Sequence, residues 1–293
     1  MCIRDRWIAD RPEDKPYFLY LATTNIHHPF TPAEQFDGTS KAGIYGDFIH
    51  ELDWIVGQVV KAVEARGELD NTLIIFTSDN GGMLNIGGQA AWEARHRMNG
   101  DLLGFKFGIW EGGHRVPMIA SWPGRIPAGT ESDALISQID LLATFAGLLE
   151  QSLDTGPDSI DQSEELLGNA DKPLRDELVV LSNQPSHLAI RTDRWLYIPA
   201  QGEGGFMGER WGKHLISGVA AMKTTGQINS DIVNGKVRPD APKTQLYDLI
   251  KDPQQTKNVI NEHPKVVQQF QARVNHYRAQ IGKHKPLGWI QRR

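Results

Sequence analysis

Asp79 and Asn80 set a carboxylate beside a carboxamide, two hard oxygen donors of the kind that hold Ca²⁺ or Mg²⁺. Gly81 and Gly82 follow and let the backbone approach a ligand closely, although the same four residues also make an ordinary Asx turn. His27 and His28 stand ahead of Pro29, where an imidazole can donate to an anion or act as a general acid, or simply solvate a turn. Lys106 lies between Phe105 and Phe107. An ammonium in partly apolar surroundings binds an anion strongly, whereas a lysine on a strand snorkels to water. The polar stretch 81–101 offers Trp92 and His96 for a lid or substrate wall, and 201–240 offers Trp211, Lys213 and His214; loops of this composition are also commonly just solvated.

These groups need elements to position them. Residues 72–76 form a short apolar, β-branched run, which reads as a strand buried on both faces of a parallel sheet. In open α/β sheets ligands bind beyond the carboxyl ends of the strands, which is where Asp79 falls. Residues 17–22 read as a second buried strand, and His27 and His28 follow its end on the same rim. Between the two, Phe48, Leu52, Ile55, Val56, Val59 and Val63 recur at helical spacing over 46–66, with Gly67 as the C-terminal stop. Strand, helix, strand is a βαβ unit with a right-handed crossover. A strand at 116–122 and an amphipathic helix at 137–149 extend it. The expectation is an α/β fold, a largely parallel sheet flanked by helices, with a smaller C-terminal antiparallel sheet plus helix. The latter rests on short strands at 178–182, 188–191 and 195–199 and a closing helix at 264–281.

The expected division is a lead-in at 1–15, an α/β catalytic part at 16–153, a linker or surface loop at 154–174, and a smaller subdomain at 175–293. The opening six residues look foreign to the protein, and a truncated reading frame is expected. A net charge of -5 from 31 basic and 36 acidic residues gives no basic footprint for nucleic acid. All apolar runs are far shorter than a membrane span. Cys2 is the single cysteine, so no internal disulfide forms.

Five motifs in order lead further. They are His27-x-Pro29, Ser78-Asp79-Asn80-Gly81, Lys106 five residues ahead of Glu111-Gly112-Gly113-x-Arg115-x-Pro117, the run Ser137 to Phe145, and Leu246-Tyr247-Asp248-Leu249-x-x-Asp252-Pro253. In that order they resemble the formylglycine-dependent sulfatases of the alkaline phosphatase superfamily. The resemblance implies that Asp79 and Asn80 are the downstream ligand pair of a divalent cation, usually calcium. It implies that His27 contacts the sulfate ester near its leaving oxygen and that Lys106 binds the sulfate. His28, His96, Trp92 and His214 stand as further substrate contacts. In similar enzymes a formylglycine made from cysteine or serine is the nucleophile. Here no Cys-x-Pro-x-Arg and no Ser-x-Ala-x-Arg occurs, and the flanking glycines that many relatives place at the lysine are Phe105 and Phe107. The upstream metal aspartates, lysine and histidine are absent too, so the 293-residue chain alone is expected not to turn over.

The implied reaction is release of inorganic sulfate from a sulfated carbohydrate or aryl sulfate, with periplasmic or extracellular residence by resemblance and oligomeric state left open. A phosphoester or phosphonate hydrolase of the same superfamily would use the same dication, lysine and histidine. A non-catalytic glycan-binding fragment is the third reading.

Overall fold

The computed structural model describes residues 3–154, 156, 158–205 and 214–281, and the chain divides into two compact units. The first comprises Met1–Gly100, Arg115–Leu174 and Trp211–Leu215. Its longer helices are α1 (Ile3–Asp10), α2 (Gly43–Glu64), α3 (Ile86–Glu93) and α4 (Leu141–Leu148). Two of its strands, β1 (Ile74–Thr77) and β2 (Met118–Ser121), pair antiparallel with Thr77 opposite Met118 and Ile74 opposite Ser121. The α2 periodicity is borne out, with Phe48 and Val63 fully buried on its inner side. Asp47, also buried, accepts from the backbone of Gly38 (3.1 Å) and Ser40 (2.7 Å) and so pins the loop that precedes the helix. Buried Asp140 plays the same part ahead of α4, taking the backbone N–H of Ser137 at 2.9 Å and of Ile160 at 3.0 Å.

Two expectations for this unit change. The class is mixed α/β, but every strand pairing among the described residues is antiparallel, and residues 17–22 take part in no strand pairing. Strand-type side chains form a sheet only where a neighbour takes up the backbone bonds. Here Phe18 and Tyr20 stay 74% and 81% exposed. The stretch 81–101 is not simply a loop, because it contains α3, whose start is capped by Asn85 accepting from the Gly88 N–H at 2.8 Å.

The second unit comprises Asp101–His114, Arg175–Arg210 and Ile216–Arg293. Four antiparallel strands, β3 (Glu177–Val180), β4 (Ala189–Thr192), β5 (Trp195–Ile198) and β6 (Gln245–Asp248), lie in that order, followed by helix α5 (Pro264–Gln280). Strand alternation splits the apolar side chains between two faces. Ala189, Leu196, Ile198 and Tyr247 pack with Leu103, Ile109 and Trp110 of the 101–114 segment and with Met222. Ile190, Tyr197 and Leu246 pack with Phe270 and Val274 of α5. The 101–114 segment is thus one cover of this sheet and α5 is the other. No described helix is long and apolar enough to cross a membrane.

Candidate active site

In the first unit β1 ends at Thr77 and releases Ser78, Asp79 and Asn80 beyond its carboxyl end. The turn is fixed locally: Ser78 Oγ donates to the Asn80 carbonyl at 3.1 Å, and the Gln138 amide donates to the Ser78 carbonyl. Asn80 Nδ2 is committed to the Gly81 carbonyl at 2.9 Å, which leaves its Oδ1 for an incoming donor or cation. Asp79 is exposed, and its carboxylate takes no hydrogen bond or ion pair from another described residue. Strand β2 starts opposite Thr77, with Thr77 Oγ1 bonded to the Pro117 carbonyl at 3.0 Å, so Arg115 to Pro117 arrive at the same end as Asp79.

His27 and His28 are exposed and stack on each other with ring centroids 4.4 Å apart. His27 Nδ1 lies 2.7 Å from the His28 carbonyl. A carbonyl only accepts, so Nδ1 carries the proton and Nε2 is the nitrogen open to a ligand. The loop is anchored by Asn25, which donates to the Phe48 carbonyl (3.2 Å) and to Glu51 (3.1 Å) on α2. No hydrogen bond among the described residues joins the His27 loop to the Asp79 turn.

The other first-unit candidates sit differently. Trp92 is buried, and the exposed Arg97 guanidinium lies 4.0 Å from its ring centroid, so that cation covers the indole face. His96 is half-buried against Tyr45, with centroids 5.7 Å apart; burial and then the Arg97 charge lower its pKa. His214 is exposed, next to the Leu215 bridge to Asn85; Trp211 and Lys213 lie outside the described residues.

Lys106 belongs to the second unit. It is not on a strand: the Gly108 N–H bonds to the Phe105 carbonyl at 3.1 Å, making a tight turn with Lys106 and Phe107 at its centre. Phe107 has φ +81°, the value the third residue of a type II turn demands and a side chain resists. Phe105 is buried in the unit, while Lys106 keeps its ammonium 5.4 Å from the Phe107 ring centroid. The glycines of the following motif have a packing reason. A Cβ on Gly112 would sit 2.4 Å from the Gly104 carbonyl, and one on Gly113 would sit 2.3 Å from the Gly108 carbonyl. Only a bare backbone lets this helical turn seat the Lys106 turn. Glu111 next to it is buried and pairs with Arg191 at 3.5 Å. His114, half-buried, has its pKa lowered by burial, against the opposing pull of Glu111.

The sulfatase family model matches residues 5–151, just over half of the chain. The chain belongs to the sulfatase family. This sulfatase chain is 34% identical over 265 residues to an N-acetylgalactosamine-6-O-sulfatase of Bacteroides thetaiotaomicron, which covers 88% of the chain and 46% of that protein. It is 32% identical to human arylsulfatase A over 253 residues, 85% of the chain and 45% of the relative. A Bacteroides thetaiotaomicron structure solved in connection with metabolism of multiple glycosaminoglycans superposes with TM-score 0.74 at 33% identity, covering 91% of this chain and 51% of that one. The fold is therefore that of the sulfatases, and the chain spans about half the length of the relatives it matches.

The chain's own residues meet the family's cofactors unequally. Asp79 and Asn80 fit a hard dication as donors, and they are two of the six to eight oxygens that calcium takes; no described group of three acidic, histidine or cysteine side chains adds to them. No residue fits the formylglycine. One run, Ser121-Trp122-Pro123-Gly124-Arg125, does have a serine, proline and arginine at alternate positions. It is an exposed turn at the wrong end of the strand: Ser121 pairs with Ile74, three residues from Thr77, or about 10 Å along the strand.

Proposed function

We propose that this chain serves in the hydrolysis of a carbohydrate sulfate ester, with release of inorganic sulfate, and that the sugar is a hexosamine sulfated at its 6-position. The observation that carries this reading is the Asp79–Asn80 turn, an exposed carboxylate and an unengaged amide oxygen delivered beyond the end of β1. A cation bound there would draw charge from the sulfuryl oxygens. Lys106, by the family resemblance, is the sulfate-binding lysine, and a fixed ammonium stabilises charge that grows in the transition state. His27, with its Nδ1 proton committed to the His28 carbonyl, presents Nε2, which in the doubly protonated imidazolium carries the proton that passes to the departing sugar oxygen, leaving the ring neutral. The name of the Bacteroides thetaiotaomicron relative supports the sugar and the 6-position. No residue of this chain takes the nucleophile's part, so the 293 residues supply binding and electrostatics while attack on sulfur is left to a group they do not contain.

Calorimetric titration of Ca²⁺ and of inorganic sulfate into the 293-residue chain tests the reading. Asp79→Ala should weaken Ca²⁺ binding by about tenfold or more, since one of two donors is lost. Lys106→Ala should weaken sulfate binding and leave Ca²⁺ binding unchanged. Wild-type behaviour in either variant removes that residue from the site. Sulfate-ester turnover by the purified chain would overturn the statement about the nucleophile.

A further inference from the structure

Glu203 is 2% exposed, and neither of its carboxyl oxygens has a hydrogen-bond partner among the described residues. A buried carboxyl in that condition is costly and calls for a reason. Its surroundings supply one. It lies in the run Gly202-Glu203-Gly204-Gly205, and its own backbone carbonyl accepts from the Ile109 N–H at 2.7 Å. The carboxyl then folds under the turn that bears Lys106. A Cβ on Gly104 would stand 3.2 Å from Glu203 Oε2, and one on Gly108 would stand 2.9 Å from Glu203 Cδ. Both glycines that bracket Phe105-Lys106-Phe107 therefore rest on this one side chain. The turn needs such a seat, because the Phe107 backbone is held at φ +81°, a conformation that costs a side-chain-bearing residue about 1–3 kcal/mol.

We propose that Glu203 is a positioning residue for sulfate binding: its carboxyl is the seat that holds the Phe105–Gly108 turn and so fixes where the Lys106 ammonium points. This rests on the reading of Lys106 as the sulfate-binding lysine. Burial raises the Glu203 pKa to about 8; the backbone amide of Gly218 offsets this in part, without completing a hydrogen bond to either oxygen. The seat is thus a neutral acid at neutral pH, and ionisation puts an unpaired charge beneath the turn. The titratable groups on the segments around it are Lys106 on the turn, Glu111 and His114 just after it, the latter with Nε2 2.8 Å from the Ile109 carbonyl, and His187. The His187 ring packs under Gly204 and its Nε2 meets the Gln201 carbonyl at 2.9 Å. Glu111 is paired with Arg191 at 3.5 Å, and burial lowers the His187 pKa.

The test titrates inorganic sulfate into the full chain at about pH 6.5 and about pH 9, in wild type, Glu203→Gln, Glu203→Ala and Lys106→Ala. Wild-type affinity should fall about tenfold between the two, the usual size of such a coupling, and Glu203→Gln should keep the low-pH affinity throughout. Glu203→Ala should bind weakly at both, and Lys106→Ala should show the background. An identical pH fall in wild type and Glu203→Gln overturns the proposal, and so does full affinity in Glu203→Ala. If wild type takes up no sulfate, the Lys106 assignment fails instead, and amide hydrogen exchange judges Glu203 separately. Faster exchange at Lys106 to Ile109 in Glu203→Ala than in Glu203→Gln supports the seat, and equal protection refutes it. Glu203→Gln preserves shape, so the comparison survives if the alanine variant does not fold.

Discussion

Gln245 is the residue on which the second unit's stability should depend most visibly. Its side chain is 1% exposed and fully bonded: Nε2 donates to the carbonyls of Ala200 (2.7 Å) and Gly202 (2.8 Å), while Oε1 accepts from Trp110 Nε1 (3.1 Å) and Tyr247 OH (2.7 Å). Asn229 completes the network by donating to Tyr247 OH (2.9 Å) and to the Gln255 carbonyl (2.7 Å). Gln245→Leu keeps most of the volume but strips two buried donors and two carbonyls of their partner. At about 1–3 kcal/mol for each orphaned donor, and less for carbonyls, the loss should come to about 4 kcal/mol. With an urea slope of about 2 kcal/mol per molar, the unfolding midpoint should drop by about 2 M, read from tryptophan fluorescence. Because Trp110 sits four residues beyond Lys106, sulfate affinity should fall as well. A midpoint shift below about 0.5 M would refute the reasoning, since it would mean that water or new partners satisfy all four groups.

Two further outcomes follow from the same structure. Asn85→Ala removes the cap of α3 and should destabilise the first unit by about 1 kcal/mol, visible as faster amide exchange at Gly88; unchanged protection there would count against the cap. The second unit should also lose stability as pH rises from about 6.5 to about 8. Glu203 is raised from 4.5 to about 8, so the folded state keeps a proton that the unfolded chain has released, and stability falls throughout that window. His114 and His187 are lowered from 6.5, which makes the unfolded chain the better proton binder below that pH, so their penalty appears only as pH drops under 6.5. Above 6.5 the slope therefore belongs to Glu203 and should amount to about 2 kcal/mol in all. Urea midpoints in Glu203→Gln should lie flat over the range, and a slope equal to wild type would contradict the assignment.

Much of this arrangement was legible in the residues. The α2 periodicity, the β1 run and the alternation through Ala189–Thr192 and Trp195–Ile198 are strong local patterns, and the structure follows them. Asp79 and Asn80 stand past a strand end because the apolar run stops at Thr77. Other features were not local. Residues 17–22 carry strand chemistry, yet pairing depends on a neighbour that sequence patterning cannot supply. Helix α3 contains Gly87 and Gly88 and no clear apolar stripe, so only its Asn85 cap marked it. Gln245–Asp248 was visible as a motif rather than as a strand, since four residues are too few to show a period. The Lys106 turn was hidden for a related reason: phenylalanine at φ +81° defies its own propensity and is tolerated through packing from Glu203, about a hundred residues away. A lone acid set among three glycines was the one signal available.

The segment Tyr17-Phe18-Leu19-Tyr20-Leu21-Ala22, which has no strand partner, has a colloidal consequence. It is six residues long, uncharged, free of proline and glycine, and rich in aromatic and aliphatic side chains, which is the composition of a steric-zipper former. With its backbone bonds unclaimed by a sheet and Phe18 and Tyr20 in solvent, one molecule offers the next a ready template for fibre growth. Concentrated solutions of this chain should therefore tend toward fibre growth through this segment, read by thioflavin fluorescence, and a charge such as Tyr20→Lys should slow it.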